Sequence, residues 1–370
     1  MAAGAATRPT PKDTTSIPPA ELGQTVRGDT PHTPTRQFSS RLFVVDHVMK
    51  RLVFLALKVV AVVVLVLAVV AGAGWTYVMA AYPRLAPPRA LKVAGTPEQV
   101  ARGAYLSHHV VGCTDCHGER DWTRYSAPQM PGREGHGGMT FRLPVATLHA
   151  PNITPAAIGT WTDGEVLRAM TDGVSRDGRP LFPMMPYENF RVLGQDDAEA
   201  LIAYVRTLAP AVTNIPASTV TFPMNLIMRT LPTPVTLPAH APPRTDRVAY
   251  GRYLATIASC ATCHTRMDRG RPIEGMDYAG GFEFKTRLGH AQFSANITPD
   301  VETGIGAWTE QAFIGRFKAV ADAPEAELVL NGRPNTEMPW RDYGGMTTDD
   351  LGAIYAYLRT VPAVRNRVPR

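Results

Sequence analysis

The chain has 370 residues, room for two or three domains of ordinary size, and only 19% of them are charged, which indicates a long apolar segment or apolar cofactor pockets. The formal net charge is +6, but residues 1–83 hold eight Lys or Arg against four Asp or Glu, so the other 287 residues carry 30 against 28. A charge of about +2 on the bulk of the protein excludes the basic footprint of a nucleic-acid-binding protein.

The chain opens with a segment rich in Pro, Thr and Ala that lacks apolar periodicity, so we expect residues 1–40 to be a disordered cytoplasmic tail. A transmembrane anchor is predicted over residues 52–83. Its 25 successive uncharged residues, 59–83, exceed the roughly 30 Å hydrocarbon core at about 1.5 Å per residue. Basic residues precede this stretch, and the positive-inside tendency therefore keeps the N-terminus in the cytoplasm. A cleaved signal peptide is the alternative, with a candidate site at Ala71 and Ala73, but the long polar region in front favours an uncleaved anchor.

A five-residue motif, Cys-x-x-Cys-His, occurs twice after the predicted anchor. Its residues are Cys113, Cys116 and His117 in the first copy and Cys260, Cys263 and His264 in the second. Each thiol can add to a vinyl group of haem while the histidine reaches the iron, so the motifs predict two covalently bound haem c groups. All four cysteines of the chain lie in these motifs, so a four-thiolate zinc site is the main alternative. A redox dithiol or structural disulfides are further alternatives, and none of the three requires the histidines.

Both motifs lie within a repeated stretch of sequence. The matched blocks are residues 103–106 with 251–254, 152–155 with 296–299, 158–161 with 305–308, 185–187 with 338–340, and 203–207 with 356–360. Five matches in one order predict a duplicated domain. We place domain 1 at residues 95–210 and domain 2 at 247–365, with a Pro-rich linker at 211–246.

Each copy reads as short helices between loops, without alternating strand patterns, so the predicted fold class is all-α. Helices are expected to lead into each haem motif, over residues 105–111 and 253–258. Thr162 with Glu165 predicts a capping box, and Thr309 is the corresponding N-cap in domain 2. Amphipathic helices should close the domains, over residues 196–208 and 347–358.

A soft methionine thioether at the sixth position of a haem iron is typical of an electron carrier, whereas an open position is typical of a catalyst. The candidates are Met185 and Met338, since both precede proline at the same place in the repeat. Met184 is a rival for the first position, and core packing is the alternative role for all three. Further histidines that could compete are His108, His109, His136, His149 and His290. Trp161 and Trp308 are either buried aromatics or donors to a haem propionate.

Several of the repeated blocks together resemble class I cytochrome c domains in the membrane-bound cytochrome subunits of periplasmic alcohol and gluconate dehydrogenases. These blocks are Asn-Ile-Thr-Pro, Ile-Gly-x-Trp, Met-Pro-aromatic and the closing helix. Residues 222–225, Phe-Pro-Met-Asn, are also similar to theirs. The resemblance covers roughly residues 95–365. It implies two tandem class I cytochrome c domains behind one N-terminal transmembrane helix, with His117 and His264 as proximal ligands and Met185 and Met338 as distal ligands. It departs from those subunits in having two haem domains rather than three, and an N-terminal rather than a C-terminal anchor.

The leading interpretation is a dihaem c-type cytochrome that relays single electrons in the periplasm without being a catalyst itself. The resemblance implies the catalytic subunit of a periplasmic dehydrogenase as donor, and quinone, a soluble cytochrome or a terminal oxidase as acceptor. The expected location is the bacterial inner membrane, single-pass, with periplasmic haem domains. The alternatives are a dihaem peroxidase-like enzyme with one open haem, and a gas-binding or oxidase subunit. Methionine at both irons argues against each of them.

Overall fold

The computed structural model describes residues 37–268, 270–285 and 291–369. Residues 1–36 of the predicted tail and the candidate ligand His290 lie outside that range, whereas residues 37–40 of the predicted tail are helical. The chain divides between residues 71 and 72 into two units, and the second unit contains both haem motifs.

The first helix, α1, runs over Gln37–Ala81. Within it, Val44–Ala81 is long and apolar enough by length and composition to cross a membrane, and its apolar side chains are unburied. The helix starts earlier than the predicted anchor because residues 37–71 contain neither Gly nor Pro, and it ends just before Pro83.

The second unit is mainly helical, which confirms the predicted fold class. The stretch predicted as domain 1 contains α2 (Pro97–His109), α3 (Cys113–Cys116), α4 (Pro155–Ile158), α5 (Asp163–Thr171), α6 (Tyr187–Phe190) and α7 (Gln195–Thr207), and the names domain 1, linker and domain 2 are kept for the predicted stretches. The linker contains α8 (Met224–Ile227), followed by a 3₁₀ turn (Met228–Thr230). Domain 2 contains α9 (Arg247–Ile257), α10 (Cys260–His264), α11 (Glu310–Ala321), a 3₁₀ turn (Glu325–Leu328), α12 (Trp340–Gly344) and α13 (Thr348–Leu358).

Short strands interrupt the helices, which the sequence patterns did not predict. The strands are β1 (Thr140–Leu143), β2 (Ala146–His149), β3 (Thr219–Val220), β4 (Met267–Asp268), β5 (Arg271–Pro272), β6 (Glu283–Lys285) and β7 (Ala291–Phe293). They form an antiparallel sheet in the order β1-β2-β3 and two hairpins, β4-β5 and β6-β7. Because β3 belongs to the linker and pairs with β2, the linker packs on domain 1 instead of being a free extended connector.

In both domains the first and last helices cross where a glycine allows close backbone contact. A Cβ on Gly103 of α2 would lie 1.9 Å from the Ala200 carbonyl oxygen of α7, and one on Gly251 of α9 would lie 1.8 Å from that of Ala353 in α13. Any side chain there would force the helices apart. The crossing explains why the Gly-x-Tyr-Leu block recurs, and it positions the haem motif that follows each first helix.

The two repeats of the sequence, predicted as domains 1 and 2, contact each other in a way that approximates two-fold symmetry. Helix α12 packs on α2, and its counterpart α6 packs on α9. The Tyr105 hydroxyl donates to the Asp350 carboxylate at 2.5 Å, and the Tyr253 hydroxyl donates to Asp197 at 2.6 Å. These tyrosines occupy matching positions of the repeat, as do the aspartates, so each domain contributes the same two groups to the other.

Candidate haem sites

Each haem motif forms one short helix entered through a left-handed residue. Gly112, with φ of 65°, precedes α3, and Ser259, with φ of 59°, precedes α10. The reversal lets the chain turn from the long helix directly into the motif. All four cysteines are free thiols, none joined in a disulfide.

The histidine that follows each Cys-x-x-Cys is oriented by a backbone carbonyl. His117 Nδ1 lies 2.7 Å from the carbonyl oxygen of Pro151, and His264 Nδ1 lies 2.7 Å from that of Ala295. A carbonyl only accepts, so Nδ1 carries the proton and Nε2 keeps its lone pair. This tautomer is the one in which an imidazole can bind a metal through Nε2.

The loop that provides this acceptor is held by the Asn-Ile-Thr-Pro block. In domain 1, Asn152 Oδ1 accepts the Thr154 N–H at 2.8 Å, while Nδ2 donates to the Ala211 carbonyl at 2.6 Å. In domain 2, Asn296 makes the corresponding bonds to Thr298 and Val364. The asparagine therefore ties the histidine-orienting loop to the chain that follows the last helix of its own domain.

A glycine on the other side of this loop leaves no room for a side chain. A Cβ on Gly137 would lie 2.6 Å from the Asn152 amide nitrogen, and one on Gly280 would lie 2.4 Å from the Ala295 carbonyl carbon. Both glycines have φ near +73° and donate their N–H to the carbonyl of the motif histidine. The two haem motifs are thus built on the same backbone framework.

The electrostatics of the motifs suit neutral ligands. Burial lowers the pKa of His117 and of His264, so both imidazoles are neutral at pH 7. Burial likewise raises the pKa of the Cys113 thiol to about 11 and that of Cys116 to about 12. These thiols are therefore protonated at neutral pH.

Both candidate methionines lie in the same local fold. The Tyr187 N–H donates to the Met185 carbonyl at 2.8 Å, and the Trp340 N–H donates to that of Met338 at 2.9 Å. The intervening prolines have φ near −80° and ψ of 48° and 65°, which is an inverse γ-turn. The Met-Pro-aromatic block recurs because proline fixes the φ that this turn needs.

The two candidate distal ligands of domain 1, Met184 and Met185, differ in how far they are buried. Met185 is half-buried against the hydrophobic core, whereas Met184 is 37% exposed. Met338 is also half-buried. The geometry therefore favours Met185 over Met184, in agreement with the alignment of the repeats.

The other candidate histidines within the described residues have other roles or positions. His108 Nε2 lies 2.6 Å from the Tyr204 hydroxyl, His109 Nδ1 lies 3.0 Å from the Asp342 carbonyl, and His149 Nδ1 lies 3.0 Å from the Thr140 hydroxyl. His136 Nδ1 is buried without a hydrogen-bond partner in that part of the chain. Across residues 37–268, 270–285 and 291–369, no three His, Cys, Asp or Glu side chains are placed to hold a metal ion, so no four-thiolate zinc site is assembled there.

Charged and polar groups of α12 link the two motifs. The Tyr343 hydroxyl donates to the Ala258 carbonyl, just before the second motif. Its pKa is raised by burial first, and next by the nearby Cys260 and Cys263 thiols and the Asp115 carboxyl of the first motif.

The neighbouring Asp342 side chain faces domain 1. Its carboxylate lies 3.5 Å from Arg120, yet its Oδ2 is buried and makes no hydrogen bond within the described chain. Burial, followed by the charge of Asp115, therefore raises its pKa despite the guanidinium. Sequence reasoning did not identify this cluster, although Asp115 and Asp342 are visible beside the predicted ligands.

The residues present fit a pair of c-type haem groups. Each domain offers two free thiols, a histidine with an available Nε2 and a half-buried methionine on a rigid turn. Haem supplies one-electron redox chemistry when bound in such a site.

The chain is similar in sequence to cytochrome c subunits of dehydrogenases. It is 28% identical over 291 residues to the cytochrome c subunit of a quinone alcohol dehydrogenase from Gluconacetobacter polyoxogenes, covering 74% of this chain and 58% of that one. To the gluconate 2-dehydrogenase cytochrome c subunit of Pantoea cypripedii it is 26% identical over 289 residues, 71% of this chain and 60% of the relative. The chain thus spans somewhat over half the length of these curated relatives.

A third relative matches over most of its own length. A diheme cytochrome c-type protein of Cereibacter sphaeroides is 27% identical over 289 residues, 73% of this chain and 88% of the relative. No protein-family model matches the chain. The expected resemblance to cytochrome subunits of alcohol and gluconate dehydrogenases is confirmed.

Proposed function

We propose that this protein is a membrane-anchored dihaem c-type cytochrome that relays single electrons between a periplasmic dehydrogenase and the respiratory chain. The observation that carries the proposal is the repeated geometry of His117 and His264. Each follows two free thiols, and each has its Nδ1 engaged at 2.7 Å by a backbone carbonyl, leaving Nε2 available. In this assignment Cys113, Cys116, Cys260 and Cys263 attach two haem groups covalently, and the two histidines are their proximal ligands.

The distal ligands in this proposal are Met185 and Met338. The matching inverse γ-turns support the assignment, because the same backbone presents a thioether at the same point of each domain. Methionine favours Fe(II) and leaves no position open for peroxide or a gas. This role therefore favours an electron carrier over a peroxidase-like enzyme or a gas-binding subunit.

The interface between the domains supports transfer from one site to the other within the chain. Asn189, four residues after Met185, donates hydrogen bonds to Ser259, which directly precedes the second motif, and to Thr262 within it. Asp342, four residues after Met338, reaches Arg120 beside the first. Each distal segment thus contacts the opposite haem motif, which keeps the two sites close and fixed.

The donor, acceptor and location extend this proposal. The relatives are cytochrome subunits of dehydrogenases, which supports the catalytic subunit of a periplasmic dehydrogenase as donor. The apolar helix within α1 supports a single-pass anchor, with the N-terminus cytoplasmic and the haem domains periplasmic. The acceptor would then be quinone, a soluble cytochrome or a terminal oxidase.

Haem content tests the proposal directly. The protein is expressed with a c-type cytochrome maturation system, purified in detergent, and assayed by pyridine haemochrome and intact mass. We expect two haem groups that survive denaturation. Replacing Cys260 and Cys263 with Ala should reduce the count to one, whereas zinc in place of haem would refute the proposal.

A further inference from the structure

The loop that carries Met338 is bonded to a loop of domain 1. We propose that Ser126 and Asn335 act as positioning residues for Met338, so that domain 1 holds the distal ligand of the second haem site. This inference rests on the proposed function, in which Met338 binds iron. We refer to Ser126, Asn335 and their hydrogen bonds as the Met338 clamp.

Ser126 contributes the part of the clamp that touches Met338 itself. It is fully buried, and its hydroxyl donates to the Met338 carbonyl at 3.0 Å while accepting the Arg341 N–H at 3.4 Å. Its backbone is in the left-handed region, with φ of 66°. Arg120 holds this turn through parallel hydrogen bonds to the Ser126 and Ala127 carbonyls.

Asn335 joins the same two loops from the side of domain 2. Its Oδ1 accepts the N–H groups of Ser126 at 2.9 Å and Thr336 at 2.8 Å. Its Nδ2 donates to the carbonyls of Trp122 at 3.1 Å and Arg124 at 2.9 Å. The side-chain amide therefore uses two acceptor and two donor positions, and three of these four bonds cross the domain boundary.

The backbone next to Met338 is fixed on both sides as a result. The Thr336 hydroxyl accepts the Met338 N–H at 3.1 Å, while the Met338 carbonyl accepts from both Ser126 and Trp340. Further along the contact, the Tyr125 N–H donates to the Leu328 carbonyl at 2.7 Å, and Arg124 pairs with Glu325. A thioether on so constrained a turn loses little freedom when it binds.

Met185 is held differently, which gives the inference an internal control. Its N–H donates to the Phe182 carbonyl at 3.0 Å and its carbonyl accepts from Tyr187, so both partners belong to domain 1. Within the described residues, no group of domain 2 bonds to the Met185 backbone. Loss of the clamp should therefore weaken ligation at the second site and leave the first unchanged.

The test measures how often Met338 leaves the iron. Full-length, haem-loaded protein in detergent is reduced and mixed with carbon monoxide, which binds only after the methionine dissociates. In Ser126→Ala we expect carbon monoxide to bind at one of the two haems, about tenfold faster than in the unmodified protein, as expected from loss of one hydrogen bond. Asn335→Ala should give the same selective effect.

Two comparisons separate positioning from general damage. Ser218→Ala is a control for loss of a serine hydroxyl, because the Ser218 hydroxyl also bonds to backbone, accepting the His149 N–H at 2.9 Å, but it does so in the linker next to β3. It should leave the rate unchanged. On a Met338→Ala background, where the ligand is already absent, Ser126→Ala should change nothing further.

The outcomes are distinct. Three results would overturn the clamp. The first is carbon monoxide binding in Ser126→Ala and Asn335→Ala that is no faster than in Ser218→Ala. The others are equal acceleration at both haems, and a further effect of Ser126→Ala on the Met338→Ala background. If the unmodified protein lacks two haems, or binds carbon monoxide readily at the second one, then the proposed function fails and the clamp fails with it.

Discussion

The reciprocal hydrogen bonds between the domains make a quantitative prediction about stability. Replacing Tyr253 with Phe removes one hydrogen bond to the buried Asp197 carboxylate, which retains a bidentate bond from Arg102 at 2.8 and 2.9 Å. A hydrogen bond to a charged group contributes about 1.5–3 kcal/mol, so the free energy of unfolding should fall by that amount.

The corresponding variant of the other domain, Tyr105→Phe, should lower the free energy of unfolding by more than Tyr253→Phe. It removes the bond to Asp350, whose side chain is fully buried, and leaves that carboxylate one bond from Arg244 at 2.6 Å. It also removes the acceptor of the Thr347 N–H at 3.1 Å. Losing this neutral hydrogen bond as well as the bond to the charged Asp350 should lower the free energy of unfolding by about 2.5–4 kcal/mol.

Urea unfolding followed by near-ultraviolet circular dichroism would measure both losses on the full-length protein in detergent. Tyr77→Phe is the matched control, because that side chain is 63% exposed and should change stability by less than about 0.5 kcal/mol. The reasoning is refuted if both interface variants match the control, or if Tyr253→Phe is the more destabilising of the two.

Three further predictions concern individual sites. Gly280→Ala places a Cβ 2.4 Å from the carbonyl group that orients His264. We therefore expect this variant to lose about 2 kcal/mol or more of stability in urea titrations and to change the visible spectrum of the second haem alone. Equal spectral changes at both haems would contradict this. Met185→Ala should allow carbon monoxide to bind the first haem, whereas the exposed Met184→Ala should not, and the opposite result would reassign the ligand. Because burial raises the pKa of Asp342, the folded state retains a proton that the unfolded state releases above about pH 4, so the contribution of this group to stability is greatest at low pH and is lost as pH rises through the folded pKa. Asp342→Asn should flatten that dependence by about 1–2 kcal/mol between pH 5 and 8 in urea titrations, and an unchanged pH profile would argue against it.

Local signals in the sequence predicted much of the helical framework. Thr162 and Glu165 form the predicted capping box, and Thr309 caps its helix by accepting the Ala312 N–H. The repeated Gly-x-Tyr-Leu block is one of the five matches that predicted a duplicated domain, and the structure explains its glycines through the helix crossings at Gly103 and Gly251. Caps and close helix crossings require particular residue types, such as threonine or glycine, so the sequence indicates them directly.

Other features could not be predicted, because the groups that form them are not restricted to particular residue types. The acceptors for the two motif histidines are backbone carbonyls of Pro151 and Ala295, and any residue could provide them. The strand Thr219–Val220 is too short to show alternation, and it lies among prolines. Ser126 lies outside the matched blocks of the repeat, so its contact with Met338 is evident only from the fold.

An optical redox titration of the purified, full-length protein tests the central claim most directly, with haem counted by pyridine haemochrome and carbon monoxide added to the reduced form. We expect two low-spin haems with a methionine-to-iron charge-transfer band, both inert to carbon monoxide on rapid mixing. A high-spin haem that binds carbon monoxide at once and turns over peroxide would contradict the account, because it would mean an open iron where Met185 or Met338 is assigned.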